Sequence, residues 1–263
     1  MRLGFIGAGN MAQAMIGGIL AKEIVKKEDI IASAATQKTI DKVAKEFGIN
    51  VTLDNREVAK ADIVFLAVKP FYYEEVIDGI KDVVDEKQLI ISVAAGKSVE
   101  WVENAFGGKK KIVRIMPNTP ALVGEAVTAI CPNANITDGE KQEIVELIAS
   151  FGLAQIVSEK IMDAVIAVSG SSPAYVFMFI EAMADAAVAE GMPRVQAYQF
   201  AAHSVLGSAK MVLETGKHPG ELKDMVCSPS GTTIEAVKVL EEKGFRSSII
   251  EAMSACADKS RNM

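Results

Sequence analysis

Two segments near opposite ends of this chain combine the residue types that grip an anion. Near the start, Leu3 to Ala12 reads as a short apolar strand running into Gly7-Ala8-Gly9-Asn10-Met11-Ala12. Gly7 permits a tight turn, Gly9 lets the backbone approach a pyrophosphate, and Ala12 is small enough for close strand–helix packing. A helix expected from Asn10 to about Ile24 aims its first N–H groups and positive dipole end at that anion. The pattern predicts a dinucleotide site. Near the other end, Cys227-Ser-Pro-Ser-Gly-Thr-Thr-Ile-Glu235 leads into the amphipathic spacing Ile234, Val237, Leu240. Such a helix start offers uncapped N–H groups and hydroxyls to an anion, and a small carboxylate would fit it. The other reading of these residues is a plain N-cap, with Ser230 or Thr232 satisfying the helix backbone.

Three more segments fall outside the carboxyl ends of expected strands, where ligands of open parallel sheets lie. Ala67-Val68-Lys69-Pro70 follows one strand, with Pro70 halting it and Lys69 exposed. Ala94-Ala95-Gly96 follows the next, with side chains small enough for close ligand approach. Met116-Pro117-Asn118-Thr119-Pro120 follows a third. NAD-specific folds usually place Asp or Glu at the end of the second strand, bonded to the ribose hydroxyls. Here that strand runs out through Ala32-Ser33-Ala34-Ala35-Thr36-Gln37-Lys38, without an acid. Small hydroxyls and Lys38 suit a 2′-phosphate, so NADP(H) is expected in preference to NAD(H).

Missing residues narrow the chemistry. No tyrosine has a lysine four positions later, and no lysine occurs between Lys160 and Lys210. The Tyr-x-x-x-Lys hydride-transfer pair is therefore absent, as is the helix lysine that β-hydroxyacid dehydrogenases use as proton donor. No Ser-His-Asp or Cys-His set is legible; His203 falls in a helix and His218 in a Gly-Lys-His-Pro-Gly turn. A reduction needing little acid help is favoured. A C=N bond qualifies, because its nitrogen is basic enough to arrive protonated.

These residues need a scaffold, and the composition allows one. The 263 residues are 50% hydrophobic and 24% charged, enough for a substantial core in one or two domains. A net charge of −6 leaves no basic stripe for nucleic acid, and Lys109-Lys110-Lys111 after Gly107-Gly108 reads as a solvated turn. Cys131, Cys227 and Cys256 are too scattered for a disulfide framework or a zinc site. The first residues imitate a secretory signal, but Gly7, Gly9 and Asn10 interrupt its apolar region. No uncharged apolar run is long enough to span a bilayer. A cytoplasmic protein with neither nucleic-acid nor membrane partners is expected.

Strands are expected at Arg2–Ile6, Ile30–Ala34, Ile63–Val68, Leu89–Val93, Ile112–Ile115 and Ala126–Cys131, with weaker ones at Asn50–Thr52 and Ala154–Val157. Helical patterns such as Thr39–Phe47 and Tyr73–Val84 lie between them, and Thr137-Asp-Gly-Glu140 is a capping box. The fold class is α/β: a Rossmann-type parallel sheet domain over residues 1–157, then an all-α domain over 158–263. In the second, Ser172-Pro173 reads as N-cap and N1 of a helix that Gly191 stops. Its first half, Ala174–Ile180, is apolar all round and must be buried all round, which implies a dimer interface; the alternative is the central helix of a monomeric bundle.

Taken in order, Phe5-Ile-Gly-Ala-Gly-Asn-Met11, Ala67-Val-Lys-Pro70, Ala94-Ala-Gly96, Met116-Pro-Asn-Thr-Pro120, Ser169-Gly-Ser-Ser-Pro-Ala-Tyr175 and Ser228-Pro-Ser-Gly-Thr-Thr233 resemble the pyrroline-5-carboxylate reductase family. The resemblance implies NAD(P)H-dependent reduction of the cyclic imine 1-pyrroline-5-carboxylate to L-proline. It also implies a homodimer through the helical domain, assembled in many members into a decamer of five dimers. Cofactor contacts would come from Gly7, Ala8, Gly9, Asn10 and Met11, from Ser33 and Asn55, and from Ala67–Pro70 and Ala94–Gly96. Substrate contacts would come from Ser228, Gly231, Thr232 and Thr233, with Glu159 in the substrate region and Thr233 near the imine nitrogen. Ser228 and Thr233 are the implied catalytic residues. The chain departs from the family where Ser230 replaces the first glycine of Ser-Pro-Gly-Gly and where Met225 replaces a frequent Asn. If position 230 needs a positive φ, its serine is strained. Other readings are a reductase of another small imine or oxo-acid, and a non-catalytic NADP-binding protein.

Overall fold

The computed structural model describes residues 1–262. In its first part, strands and helices alternate as the apolar runs predict. The order is β1 (Leu3–Ile6), α1 (Asn10–Ala21), β2 (Ile30–Ser33), α2 (Gln37–Phe47), β3 (Asn50–Thr52), α3 (Asn55–Val58), β4 (Ile63–Leu66), α4 (Tyr73–Ile80), β5 (Leu89–Ser92), α5 (Val99–Ala105), β6 (Lys111–Met116), β7 (Ala126–Pro132), α6 (Asp138–Ala149) and β8 (Gly152–Ile156). The strands form one sheet in the order β3-β2-β1-β4-β5-β6-β7-β8. Leu3 pairs with both Ile30 and Ile63, so β1 lies between β2 and β4, and the order reverses there. That reversal is where a doubly wound sheet opens its ligand crevice.

Every residue of β1, β4 and β5 is buried, as strands covered on both faces must be. Alternate side chains serve two cores. Leu3, Phe5, Phe65 and Ile91 pack with Met15, Ile16, Val43 and Ile148 on one face. Ile6, Val64, Leu66 and Ile90 pack with Ile77, Ile80, Val102 and Phe106 on the other. Thr137 caps α6 in the expected capping box.

One strand runs against the expectation of a wholly parallel sheet. β7 is antiparallel to β6, with Met116 opposite Ala129 and Val113 opposite Pro132. The connection, residues 117–125, holds only a 3-10 turn (Thr119–Val123), and a parallel crossover needs a longer link. β8 then returns parallel to β7 through α6.

The chain divides into two compact units, residues 1–171 with those from Cys256 onward, and residues 172–255. The first unit thus runs past the boundary expected after residue 157. The segment that follows β8, with α7 (Met162–Val165) and a π-helical turn (Ile166–Gly170), is tied to the sheet. Met162 is buried against Met116, Ala129 and Cys131, and Glu159 pairs with Arg114 of β6.

The remaining helices are α8 (Ser172–Ala189), α9 (Arg194–Thr215), α10 (Pro219–Val226), α11 (Thr232–Glu242) and α12 (Phe245–Arg261). Ser172 does not cap α8: Ser171 keeps helical angles (φ −102°, ψ −25°), and the chain runs from the π turn directly into the helix. Pro173 has no N–H to give the Ser169 carbonyl four residues back. Asn118 Nδ2 donates to that carbonyl instead, at 2.9 Å. Continuity through this turn makes Glu159–Ala189 the one helical stretch among the described residues long and apolar enough to cross a bilayer, although Asp163 and Glu181 bound its uncharged part.

Within its own unit α8 buries only Ala184, while Phe177 and Met178 are 62% and 68% exposed. The central helix of a monomeric bundle would be covered, so that alternative fails. An apolar patch of this kind marks an interaction surface.

Candidate active site

The Gly-rich turn joins the ends of three strands. Gly7 has φ +97° and donates its N–H to the Ser33 carbonyl at 3.1 Å, and a Cβ there would lie 2.7 Å from the Ala67 carbonyl oxygen. Only glycine fits between β2 and β4 at this point. Gly9 is the N-cap of α1 with extended angles; no side chain caps the helix, and no acid stands in its first turn. A Cβ on Gly9 would meet nothing within 4 Å, so the space in front of the helix start is open. These features fit a pyrophosphate. Ala8 is buried and offers only backbone, whereas Asn10 is exposed and Met11 half-buried. Gln13 holds the turn from behind, donating to the Ala8 carbonyl at 2.7 Å and accepting from Lys42 Nζ at 3.1 Å.

Ser33 and Asn55, separate in sequence, form one pair. The buried Ser33 hydroxyl donates to Asn55 Oδ1 at 2.6 Å, which leaves the Asn55 amide NH2 as the donor end of that side chain. Asp54, not Asn55, caps α3. Lys38 is exposed in the first turn of α2, which Thr36 caps. The corner holds donors and no carboxylate between Ser33 and Lys38, which fits a phosphorylated ribose.

Along the same edge, Ala67 is half-buried and donates to the Ile6 carbonyl at 2.8 Å. Val68 is half-buried, and Lys69 is exposed where Pro70 starts a 3-10 turn. Beyond β5, Ala94 is buried, Ala95 half-buried, and Gly96 exposed with φ +74°. Asn118, beyond β6, is a clamp: besides its bond to Ser169, its Oδ1 accepts the Val127 N–H at 2.9 Å. Its place in a motif was legible, but its partners were not.

Glu159 is engaged. Its Oε1 accepts from Arg114 Nη1 at 2.8 Å and from the Val99 N–H, the first of α5, at 2.9 Å. Arg114, missed in the sequence because a lone Arg in an apolar strand carries no motif, is buried in β6. Burial first, then the Glu159 charge, pushes the neighbouring Cys131 thiol up to about 11, so it stays protonated and inert.

In the second unit, Ser228, Pro229, Ser230 and Gly231 form a tight turn, with the Gly231 N–H on the Ser228 carbonyl at 3.1 Å. Ser230 has φ +55°, in the left-handed region that favours glycine, as the departure from the family pattern foreshadowed. A Cβ on Gly231 would collide with Ser228 Oγ. Gly231 is the N-cap of α11 and no side chain caps that helix, so neither Ser230 nor Thr232 does the plain capping that was the alternative. Thr232 is exposed and Thr233 half-buried at the open helix start. Both histidines do local work: His218 Nδ1 accepts the Gly220 N–H at 3.1 Å, and His203 Nδ1 lies 3.0 Å from the Gln199 carbonyl. Met225 is exposed, with Lys217 Nζ 4.0 Å from its sulfur. Among the described residues, no cluster of His, Cys, Asp and Glu could hold a metal ion.

Known proteins match both units. Residues 159–263 match the family model for pyrroline-5-carboxylate reductase dimerisation, and residues 2–96 match one described as NADP oxidoreductase, coenzyme F420-dependent. The pyrroline-5-carboxylate reductase of Escherichia coli is 51% identical over all of this chain and 98% of its own length. The corresponding structure from Coxiella burnetii is 35% identical, covers 99% of this chain and 97% of its own, and superposes with a TM-score of 0.91. A Plasmodium falciparum pyrroline carboxylate reductase structure with NADP bound is 33% identical, covers 100% of this chain and 97% of its own, and has a TM-score of 0.92. The chain belongs to the pyrroline-5-carboxylate reductase family.

Proposed function

We propose that this chain reduces 1-pyrroline-5-carboxylate to L-proline with NAD(P)H, the last step of proline biosynthesis. The observation that carries this reading is a pair of open helix starts, those of α1 and α11, that no side chain caps. One suits a dinucleotide and the other a small carboxylate, in a chain whose full-length relatives bear that enzyme's name. When bound, the reduced nicotinamide supplies the hydride that the imine carbon accepts. Gly7, Ala8, Gly9, Asn10 and Met11 hold the pyrophosphate. Ser33 and Asn55 hold the phosphorylated ribose, and Ala67–Pro70 and Ala94–Gly96 line the rest of the dinucleotide. Lys38 and the absence of an acid after β2 make NADP(H) the preferred form over NAD(H).

Ser228, Gly231, Thr232 and Thr233 bind the imino acid, its carboxylate on the N–H groups of α11. The Thr233 hydroxyl bonds the ring nitrogen, and Ser228 shapes the turn beside it. Glu159 belongs to the substrate region by resemblance, and its bonds to Arg114 and Val99 suit a bracing part. Catalysis is mainly positioning, which supplies about 7–11 kcal/mol of barrier reduction. Residues 1–157 serve the cofactor, and 158–263 serve substrate and dimerisation. The exposed apolar face of α8 is covered by a second copy in a cytoplasmic homodimer, five of which build a decamer.

The deciding assay follows NADPH and NADH oxidation with pyrroline-5-carboxylate and its six-membered homologue, with proline identified as product. Equal Kd for NADPH and NADH removes the cofactor argument. Thr233→Ala should lower kcat/KM at least about tenfold, about 1.4 kcal/mol. An unchanged value removes Thr233 from the mechanism.

A further inference from the structure

The loops after β4 and β5 both line the proposed cofactor edge, and a buried side chain sets the gap between them. Tyr73, the first residue of α4, is wholly buried, and its ring packs in the core with Leu66, Ile77 and Ala94. Its hydroxyl sits inside the β4–β5 ladder. It donates to the Leu66 carbonyl, the last of β4, at 2.5 Å. It accepts from the Val93 N–H, the first beyond β5, at 3.1 Å and from Ser92 Oγ at 3.2 Å. One donor and two acceptor positions are thereby filled. The direct rung from Val93 N–H to the Leu66 carbonyl is stretched to 3.4 Å, so the strands part where the hydroxyl enters. Ala67 and Ala94, one residue further along each strand, begin the two loops.

We infer that Tyr73 is a positioning residue for the dinucleotide: its hydroxyl fixes the spacing of the Ala67–Pro70 and Ala94–Gly96 loops and thereby sets cofactor affinity. It touches no ligand. The inference rests on the cofactor site proposed above, and it differs from a purely structural role in what it moves. A buried tyrosine that only stabilises the core lowers stability when altered and leaves the affinity of the folded enzyme unchanged.

The test is Tyr73→Phe in the full-length enzyme, with NADPH Kd from its own fluorescence and steady-state constants for both substrates. The phenyl ring keeps the packing while the ladder loses its inserted hydroxyl. The expected result is an NADPH Kd raised about fivefold or more, with kcat at saturating NADPH and KM for the imino acid within about twofold. Ser92→Ala removes one of the three bonds, and a smaller rise in NADPH Kd is expected. A folded Tyr73→Phe enzyme with the parental NADPH Kd overturns the inference. If that variant does not fold, an unchanged Kd in Ser92→Ala overturns it. A parent enzyme that fails to bind NADPH refutes the cofactor site instead, so the two failures are distinct.

Discussion

Glu159→Ala separates a brace from a substrate ligand. The Arg114 side chain is 8% exposed and that of Glu159 34%, with 2.8 Å between Nη1 and Oε1. Arg114 Nε is buried and has no hydrogen-bond partner among the described residues, so the guanidinium is under-satisfied even with Glu159 present. Breaking a buried pair from one side costs about 3–5 kcal/mol, because a buried charge is left alone. Water reaches Glu159 and would enter its place, which holds the cost to the lower end. The Val99 N–H also loses its acceptor at the start of α5. Together these effects come to about 3 kcal/mol, and at about 2–4 °C per kcal/mol for a unit of this size Tm falls by about 6–12 °C. Glu159→Gln keeps an acceptor oxygen for both donors and should lose less than half as much. Calorimetry of both variants beside their KM for pyrroline-5-carboxylate decides the matter. A large fall in Tm with KM unchanged means a brace. An unchanged Tm in Glu159→Ala refutes the energetic reasoning, and a raised KM at that unchanged Tm makes the carboxylate a substrate ligand.

Ser230→Gly should stabilise the second unit. A left-handed backbone costs an L-residue about 1–2 kcal/mol, and glycine's extra freedom when unfolded returns about 0.5–1, leaving about 0.5–1 kcal/mol and, for a unit of this size, a Tm gain of about 2–8 °C. A lower Tm argues against strain at φ +55°. The Glu140 carboxyl is held below the usual range, first by its hydrogen bond from Lys111 and then by the Thr137 N–H. That stability is present above the ordinary glutamate pKa and lost as pH falls through the lower folded value. Lys111→Met should therefore flatten the loss of Tm below about pH 4.5, and parallel acid profiles would speak against the pair. Burial pushes the Tyr73 phenol up to about 12, so its contribution is complete below the ordinary value near about 10 and disappears as pH rises through the folded one. Ultraviolet titration should show one tyrosine of the folded protein resisting ionisation until close to unfolding. Its absence in Tyr73→Phe identifies the residue.

Periodicity revealed most of the fold because strands buried on both faces are continuous apolar runs. β1, β4 and β5 are such runs, bounded by Gly7, Pro70 and Gly96. The direction of β7 was not legible from Ala126–Cys131, since strand composition carries no sense of direction. It is the connection that decides: residues 117–125 are too short to cross the sheet. The helical domain shows the reverse case. The composition of α8 said that it must be covered, and the structure shows that its own unit does not cover it.

The candidate site was legible where its chemistry is backbone chemistry. An anion held by helix N–H groups needs small residues at an uncapped helix start; the small residues are visible in Gly7–Ala12 and Ser228–Thr233, whereas the missing cap of α11 emerges only in the structure. Ser230 was legible only through the family resemblance, as a serine where the family has glycine, and its φ of +55° turns that conditional strain into a finding. What stayed hidden were the side chains that hold these segments in place, because a tertiary hydrogen bond leaves no period in the chain. Asn118 is the instructive case. Pro173 strips the Ser169 carbonyl of a helical donor, but Ser172-Pro173 reads as a helix start, so that carbonyl becomes an unpaired acceptor inside a helix only once the π turn is seen to run into α8. A buried acceptor requires a donor, but which of the distant amides supplies it is a question of sheet topology. Asn118 becomes the answer only once β6 is seen to end beside the π turn, with Nδ2 2.9 Å from that carbonyl.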